Sequence, residues 1–210
     1  MAHEAAGTAH GLPDTFPKLL IRNSQKFAGR PAMRHKDLGV WATWNWAQML
    51  EEVRAFSIGL MELGLKRGDK IAIIGKNKPR LYWAMCAAQA LGGVPVPIYA
   101  DSVAEEMAYI LDHAEVTIAV VEDQEQVDKL LSIVERLPRL ALIVYDEPRG
   151  LRDYDHQRLK WIDDVQKLGR DRLCDGVGGL QRWEAAVAAG SGEDLAIMLY
   201  TSAPPDDPRA

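Results

Sequence analysis

Lys70-Ile-Ala-Ile-Ile-Gly-Lys-Asn-Lys-Pro79 is the stretch on which the fold turns. Ile71 to Ile74 is a short apolar run without polar alternation, the pattern of a strand buried on both faces. Gly75 then reads as a tight strand-to-helix turn, and Lys76 and Lys78 as solvated. A helix follows from about Lys78 to Leu91. Val94-Pro-Val-Pro-Ile-Tyr99 is a second extended segment, and its prolines assign it to a sheet edge or an irregular strand. Ser102 and Glu105 have capping-box spacing for a helix ending near His113. Val116 to Val121 is the third strand. Asp123 and Gln126 cap a further helix that Pro138 stops, and Leu140 to Tyr145 is the fourth strand. Strands alternating with helices at this spacing predict an α/β fold with a parallel sheet and helical crossovers.

Upstream, residues 1–14 are small, polar and glycine-containing and read as a loose tail. Thr15 to Lys26 is helical, with Phe16, Leu19, Leu20 and Phe27 at roughly helical spacing. Pro31 to His35 and Val40 to Trp44 form a hairpin around Asp37-Leu-Gly. Asn45 and Gln48 have capping-box spacing, and Met49, Val53, Phe56, Leu60 and Leu63 make one apolar helical face that Gly64 terminates. Downstream, Asp146 to Gln181 is charged and glycine-rich with few apolar anchors, which predicts surface loops with one or two short helices. Gly179 to Ala189 is helical, and Leu195 to Tyr200 is a last strand. There is no internal repeat.

The composition narrows the function. With 48% hydrophobic and 26% charged residues in 210, the chain is of ordinary globular type, long enough to bury roughly 70% of its unfolded surface. Twenty-five Lys and Arg against 30 Asp and Glu leave a net charge of -5, without the basic excess of a nucleic-acid binder. Two cysteines, Cys86 and Cys174, make no disulfide framework and point to a reducing compartment. The N-terminus lacks a signal peptide's basic start and apolar core, and Leu81 to Ala100 is broken by Gln89, Gly92, Gly93, Pro95 and Pro97. A cytoplasmic location is expected, with peripheral membrane contact left open.

Familiar catalytic motifs are missing. Gly75-Lys-Asn-Lys-Pro is neither a dinucleotide fingerprint nor a Walker loop. His3, His10, His35, His113 and His156 are scattered without metal-ligand spacing, and His113 at a helix end reads as a surface residue suited to the helix dipole. Cys86 reads as core packing. Trp41, Trp44 and Trp46 read as packing between the hairpin and the next helix, given the acidic balance.

The C-terminal end carries the sharpest signal. The apolar run Ala196 to Tyr200 leads into Thr201-Ser202, and here the sequence resembles the adenylate-forming (AMP-binding) enzymes, which include the acyl-CoA synthetases. In that family the strand is followed by a loop of the type Tyr-Thr-Ser-Gly-Thr-Thr-Gly-x-Pro-Lys-Gly. Such a loop uses glycines for close backbone approach to phosphates, hydroxyls as donors and a lysine for charge. The resemblance runs from about Thr15 to Ser202. It includes Gly64-Leu-Lys-Arg-Gly-Asp-Lys-Ile-Ala-Ile73 and Ala90-Leu-Gly-Gly-Val-Pro-Val-Pro-Ile-Tyr99. Ala104-Glu-Glu-Met-Ala-Tyr-Ile-Leu111 and Val121-Glu-Asp-Gln-Glu-Gln126 look most like the long-chain fatty acyl-CoA synthetases. The resemblance implies a partial adenylation domain over residues 15–202. It also implies ATP, Mg²⁺ and coenzyme A as cofactors, a fatty acid as substrate, and Thr201 and Ser202 as cofactor-binding residues; it implies no catalytic residue and no metal ligand in this chain.

After Ser202 the pattern breaks into Ala203-Pro-Pro-Asp-Asp-Pro-Arg-Ala210. The family's Gly-Thr-Thr-Gly-Arg-Pro-Lys-Gly can be written GGC ACC ACC GGA CGA CCC AAG GGC. Loss of one G from the first codon gives GCA CCA CCG GAC GAC CCA AGG GC, which encodes the observed tail at every position. Residues 203–210 are therefore expected to be a frameshift tail, and the chain a truncated acyl-CoA ligase without activity of its own. Unpartnered apolar faces and an open strand edge are expected to drive self-association. The alternative is a free-standing α/β small-molecule binder or a regulatory interaction module; the binder would need an intact pocket at the strand C-termini.

Overall fold

The computed structural model describes residues 13–174, 176 and 178–201. The chain enters as helix α1 (Phe16–Lys26), with Thr15 as its N-cap. A two-stranded antiparallel hairpin follows, β1 (Pro31–Asp37) and β2 (Val40–Asn45), turning at Leu38-Gly39, both at positive φ. Asn45 then closes the expected capping box with Gln48 in both directions and starts α2 (Trp46–Glu62). Val53, Phe56 and Leu60 on that helix are fully buried, and Gly64, at φ 97°, follows its end.

The main sheet is parallel throughout. Its strands are β3 (Lys70–Ile74), β4 (Val94–Ile98), β5 (Val116–Val121), β6 (Leu142–Tyr145) and β7 (Leu159–Trp161), in the order β4-β3-β5-β6-β7. The connecting helices are α3 (Pro79–Ala90), α4 (Ala104–His113) and α5 (Gln124–Ile133), and α6 (Ile162–Cys174) and α7 (Gly179–Ala188) follow. One face of the sheet is covered by α2, α3, α6 and α7, whose apolar side chains meet Ile71, Ile73, Ile118 and Val144. The other face is covered by α4 and α5 against Ile74, Val96, Val121 and Ile143. The strands are thus buried on both sides, which is why they read as continuous apolar runs. Proline-bearing β4 lies at the edge and is a regular strand, the first of the two readings its prolines allowed.

Four local expectations need correction. Leu195 to Tyr200 forms no strand: it is extended, but a single backbone hydrogen bond, Met198 N–H to Pro95 O at 2.9 Å, joins it to β4. A parallel ladder would continue with residue 97 donating to Met198 C=O, and Pro97 has no N–H to give. The capping box at Ser102 does not form; Val103 occupies the N-cap of α4, with no side-chain cap bond. Asp123 does cap α5, but the Gln126 amide turns away to Ala100 O.

Residues 146–181, expected to be mostly loop, hold β7 and the thirteen-residue α6. The buried positions of α6 are Ile162, Val165, Gln166 and Gly169, a proper helical stripe that is only half apolar. Gln166 is satisfied by Glu52 at 2.8 Å, and Gly169 lets the backbones of α6 and α2 touch. A Cβ on Gly169 would stand 1.8 Å from Ala55 O.

Candidate functional site

Open parallel sheets bind ligands at the C-terminal ends of strands, where neighbouring strands send their chains to opposite faces. Here that point lies between β3 and β5, because β3 leads to α3 on one face and β5 to α5 on the other. The crevice is filled from within. Glu122, 5% exposed, accepts the Lys76 N–H at 2.7 Å and pairs with Lys78 Nζ at 3.1 Å. Gly75, at φ 153°, makes room for it: a Cβ there would lie 2.6 Å from Glu122 Cβ and 2.7 Å from Leu81 Cδ1.

Lys78 is therefore paired rather than simply solvated. Burial works to lower the pKa of its ammonium, but the Glu122 hydrogen bond and the charges of Glu122, Asp146 and Glu147 prevail and raise it. Glu122 thus occupies the crevice and ties the end of β5 to the turn after β3. Beside it Arg80 bridges Asp146 at 3.3 Å and Asp163 at 2.6 Å, fastening the start of α3 to the β6–β7 end. Burial raises the Asp146 carboxyl against the pull of Arg80 and Lys78.

The second place is the β4 edge. The Gln89 amide holds Ala196 O at 2.8 Å, Met198 reaches Pro95, and Tyr200 OH lies 2.6 Å from His113 Nδ1. Moving from Ala196 to Tyr200, the chain climbs alongside β4 in the same direction. Met198 and Tyr200 pack toward the α4 face, while Leu199 turns to the other side. There Leu199 helps line a cavity of about 270 Å³ with Gly75, Lys76, Asn77, Tyr82 and Tyr99. Thr201 follows, exposed, beyond the end of β4. Of the two predicted cofactor-binding residues, Thr201 is therefore placed at the C-terminal end of the sheet beside a cavity. Ser202 lies outside the described residues, as do the expected tails over residues 1–12 and 203–210.

Other expectations divide. Trp44 packs edge-on against Trp83, with ring centroids 5.5 Å apart, and Trp46 joins the core. Trp41 does not: being odd-numbered on β2, it faces away from Trp44 and lies exposed under Arg34 and Lys36. Cys86 is half-buried against the core, and burial pushes its thiol pKa up to about 11, whereas Cys174 is exposed. Among the described residues no cluster of three or more His, Cys, Asp or Glu side chains could hold a metal ion. No described helix is long and apolar enough to cross a membrane.

Sequence reasoning missed Glu122, Gln89 and the His113–Tyr200 contact. Only the alternation of Met198, Leu199 and Tyr200 offered a signal, since period two assigns the first and last to one face.

A parallel five-stranded sheet covered by helices on both faces defines the class: an α/β fold with helical crossovers. The chain belongs to the AMP-binding enzyme family, whose profile matches residues 20–203. It is 30% identical over 198 residues to the human long-chain-fatty-acid–CoA ligase ACSBG2, covering 93% of this chain and 28% of that protein. It is also 30% identical to the rat long-chain-fatty-acid–CoA ligase ACSBG1, covering 94% and 26%. The chain thus spans little more than a quarter of these relatives.

Its fold matches the anthranilate CoA ligase AuaEII, solved with anthranoyl-AMP, at TM-score 0.64 and 22% identity over 74% of this chain and 29% of that one. It matches the A-PCP didomain of a carboxylic acid reductase from Segniliparus rugosus, solved with AMP, at TM-score 0.64 and 19% identity over 78% and 27%.

Proposed function

We propose that residues 15–202 are the first part of the adenylation domain of an ATP-dependent long-chain fatty acyl-CoA ligase. The observation that carries this reading is the delivery of Tyr200-Thr201 to the C-terminal end of the sheet. Thr201 there, and Ser202 next to it in sequence, are read as the first hydroxyl donors of a phosphate-binding loop. In the reaction, a fatty carboxylate oxygen attacks the α-phosphorus of ATP and pyrophosphate leaves. The thiolate of coenzyme A then attacks the acyl carbonyl and AMP leaves. Hydroxyl and backbone donors lower the barrier by stabilising charge that grows on the leaving phosphates. An exposed threonine hydroxyl fits that task. Mg²⁺, implied by the family resemblance, would add positive charge at the leaving phosphates; no cluster of three or more His, Cys, Asp or Glu among the described residues would hold it. A fatty acid substrate is supported by the names of the relatives, and a cytoplasmic setting by two unpaired cysteines.

Residues Ala203 to Ala210 carry neither the glycines nor the lysine that a phosphate cradle needs. We infer that the reading frame breaks after Ser202 and that the 210-residue chain does not adenylate. The test begins with the coding DNA across the codons for Ser202 and Ala203. The reading expects that one added G there restores the glycine-rich loop, and that the in-frame product releases pyrophosphate and forms acyl-CoA from long-chain acids. The 210-residue chain is expected to do neither. Codons that no single base can restore would sink the frameshift, and an in-frame product inert toward fatty acids would sink the ligase assignment.

A further inference from the structure

The approach to Thr201 is held in an unusual way. In a parallel ladder, each bond fixes the register of the next, and Met198 N–H to Pro95 O should be answered by residue 97 donating back to Met198 C=O. Pro97 cannot donate. The Pro97 carbonyl could still accept from Tyr200 N–H, but that bond does not form, so among the described residues no backbone hydrogen bond to β4 follows Met198, three residues before Thr201.

A side-chain contact takes over at that point. Tyr200 OH lies 2.6 Å from His113 Nδ1, at the last residue of α4, and the two rings meet edge-on at 89°. Tyr109, one turn earlier on α4, stacks on the same imidazole at 24° with centroids 5.7 Å apart, so the ring is oriented from two sides. Tyr200 OH is also 3.6 Å from Met198 Sδ, a weak second acceptor. Nothing in the hydrophobic interior requires His113, which is exposed. Its contacts are with its own helix and with the segment that leads to Thr201.

We propose that His113 is a positioning residue that latches Tyr200 and so sets where Thr201 leaves the sheet edge. The proposal rests on reading Thr201 as the first hydroxyl of the phosphate loop. The latch assigns a task to a histidine whose sequence context suggested only a helix end.

The test uses the 210-residue chain without nucleotide. Amide hydrogen exchange at residues 199–201 and chymotryptic cleavage after Tyr200 are followed in the unmodified chain and in His113→Phe, His113→Asn and Tyr200→Phe. His113→Phe keeps a ring against Tyr109 but removes the ring nitrogen that pairs with Tyr200 OH. Exchange and cleavage are expected to rise about fivefold, the loss of one hydrogen bond of about 1 kcal/mol. In His113→Asn the side-chain amide, which can accept or donate, lies near the place of Nδ1, and protection is expected to return. Tyr200→Phe should match His113→Phe, and the double variant should add nothing, while the thermal midpoint stays put in all.

Unchanged exchange in His113→Phe would overturn the proposal. So would failure of His113→Asn to restore protection, since that pattern marks a packing role alone. These readouts contain no ATP, so they stand or fall separately from the ligase assignment: the latch can hold in a chain whose in-frame product proves inert.

Discussion

The two ends of the five-stranded sheet are finished in different ways. At the β7 end, α6 lies against α2 with backbone touching backbone, and Arg80, Asp146 and Asp163 tie strand ends to helix start. Trp161 adds its indole N–H to Asp146 O at 3.1 Å. At the β4 end, prolines blunt the strand, a single backbone–backbone hydrogen bond joins the neighbouring chain to it, and large side chains stand in solvent. Tyr99 is 76% exposed, Leu199 66% and Tyr109 65%. One end is a finished interior; the other is a ledge. The difference separates the crevice usual for such sheets from the place where the proposed ligand residue emerges. The crevice that most doubly wound sheets use is locked by Glu122 and Lys78, and the residue with a proposed ligand role emerges at the ledge.

The largest effect should come from breaking the finished end. Gly169→Val puts a branched side chain into the Ala55 carbonyl and should cost about 3 kcal/mol or more, because neither helix backbone can yield without uncovering the sheet. Urea unfolding followed by circular dichroism reads this directly. A midpoint equal to that of the unmodified chain would show that α2 and α6 do not approach so closely.

The lock comes next. Glu122→Ala strands the Lys78 ammonium and the Lys76 N–H, and a loss of about 2 kcal/mol is expected. In a double-mutant cycle with Lys78→Ala, part of that loss should be recovered as coupling. The sign of its pH dependence follows from Lys78. Its folded pKa is raised above the ordinary 10.5, so its stabilisation is complete below that value and disappears only as pH climbs through the raised one. Coupling should be the same at pH 7 and pH 9, and a cycle that collapses by pH 9 would contradict the pairing.

At the ledge, stability should hardly respond but association should. Tyr99→Lys together with Leu199→Glu replaces two exposed apolar side chains and should shift the unfolding midpoint by no more than about 0.5 kcal/mol. If the ledge drives self-association, sedimentation velocity will show larger species lost in this variant and kept in the unmodified chain. Identical sedimentation of the two would remove that role from the ledge.

How much of this was legible beforehand follows the same division. The central strands and α2 to α5 were readable because each buries apolar residues at a simple period, and proline content put β4 at the edge. The β7 end was not readable. α6 buries a glutamine and a glycine where a pattern search expects leucines, and β7 has three residues. Nor could the sequence show that Pro97 would deny Met198 a ladder, since Leu195 to Tyr200 has the composition of a strand and lacks only a partner. At the candidate site, Thr201 was found through the resemblance, while Glu122 and His113 required three dimensions: their partners are 46 and 87 residues away.

The smallest effect sharpens the comparison most, because acid should act on a carboxylate clasp beneath the covered face and spare the Met198 contact at the ledge. Glu62, at the end of α2, accepts from Arg172 at 3.1 Å and from Arg182, clasping α6 and α7. The Arg182 hydrogen bond, opposed by burial and aided by both guanidinium charges, holds its carboxyl below the ordinary 4.5. A lowered carboxyl contributes stability above the ordinary value and loses it as pH falls through the lowered one. The arginines are half exposed, so solvent screening limits the contribution to about 0.5–1 kcal/mol. The unmodified chain should therefore exceed Glu62→Gln in stability by that margin at pH 6, and the margin should shrink as pH is lowered below 4.5. At the ledge the Gln89–Ala196 and Met198–Pro95 contacts contain no titratable group, and the His113–Tyr200 contact acts only past Met198, so the Met198 amide, corrected for intrinsic exchange, should keep its protection across the same range relative to the amides of α7. Parallel loss of protection in α7 and at Met198 would mean that the clasp and the ledge open as one unit, and the contrast between finished end and ledge would then be one of exposure only.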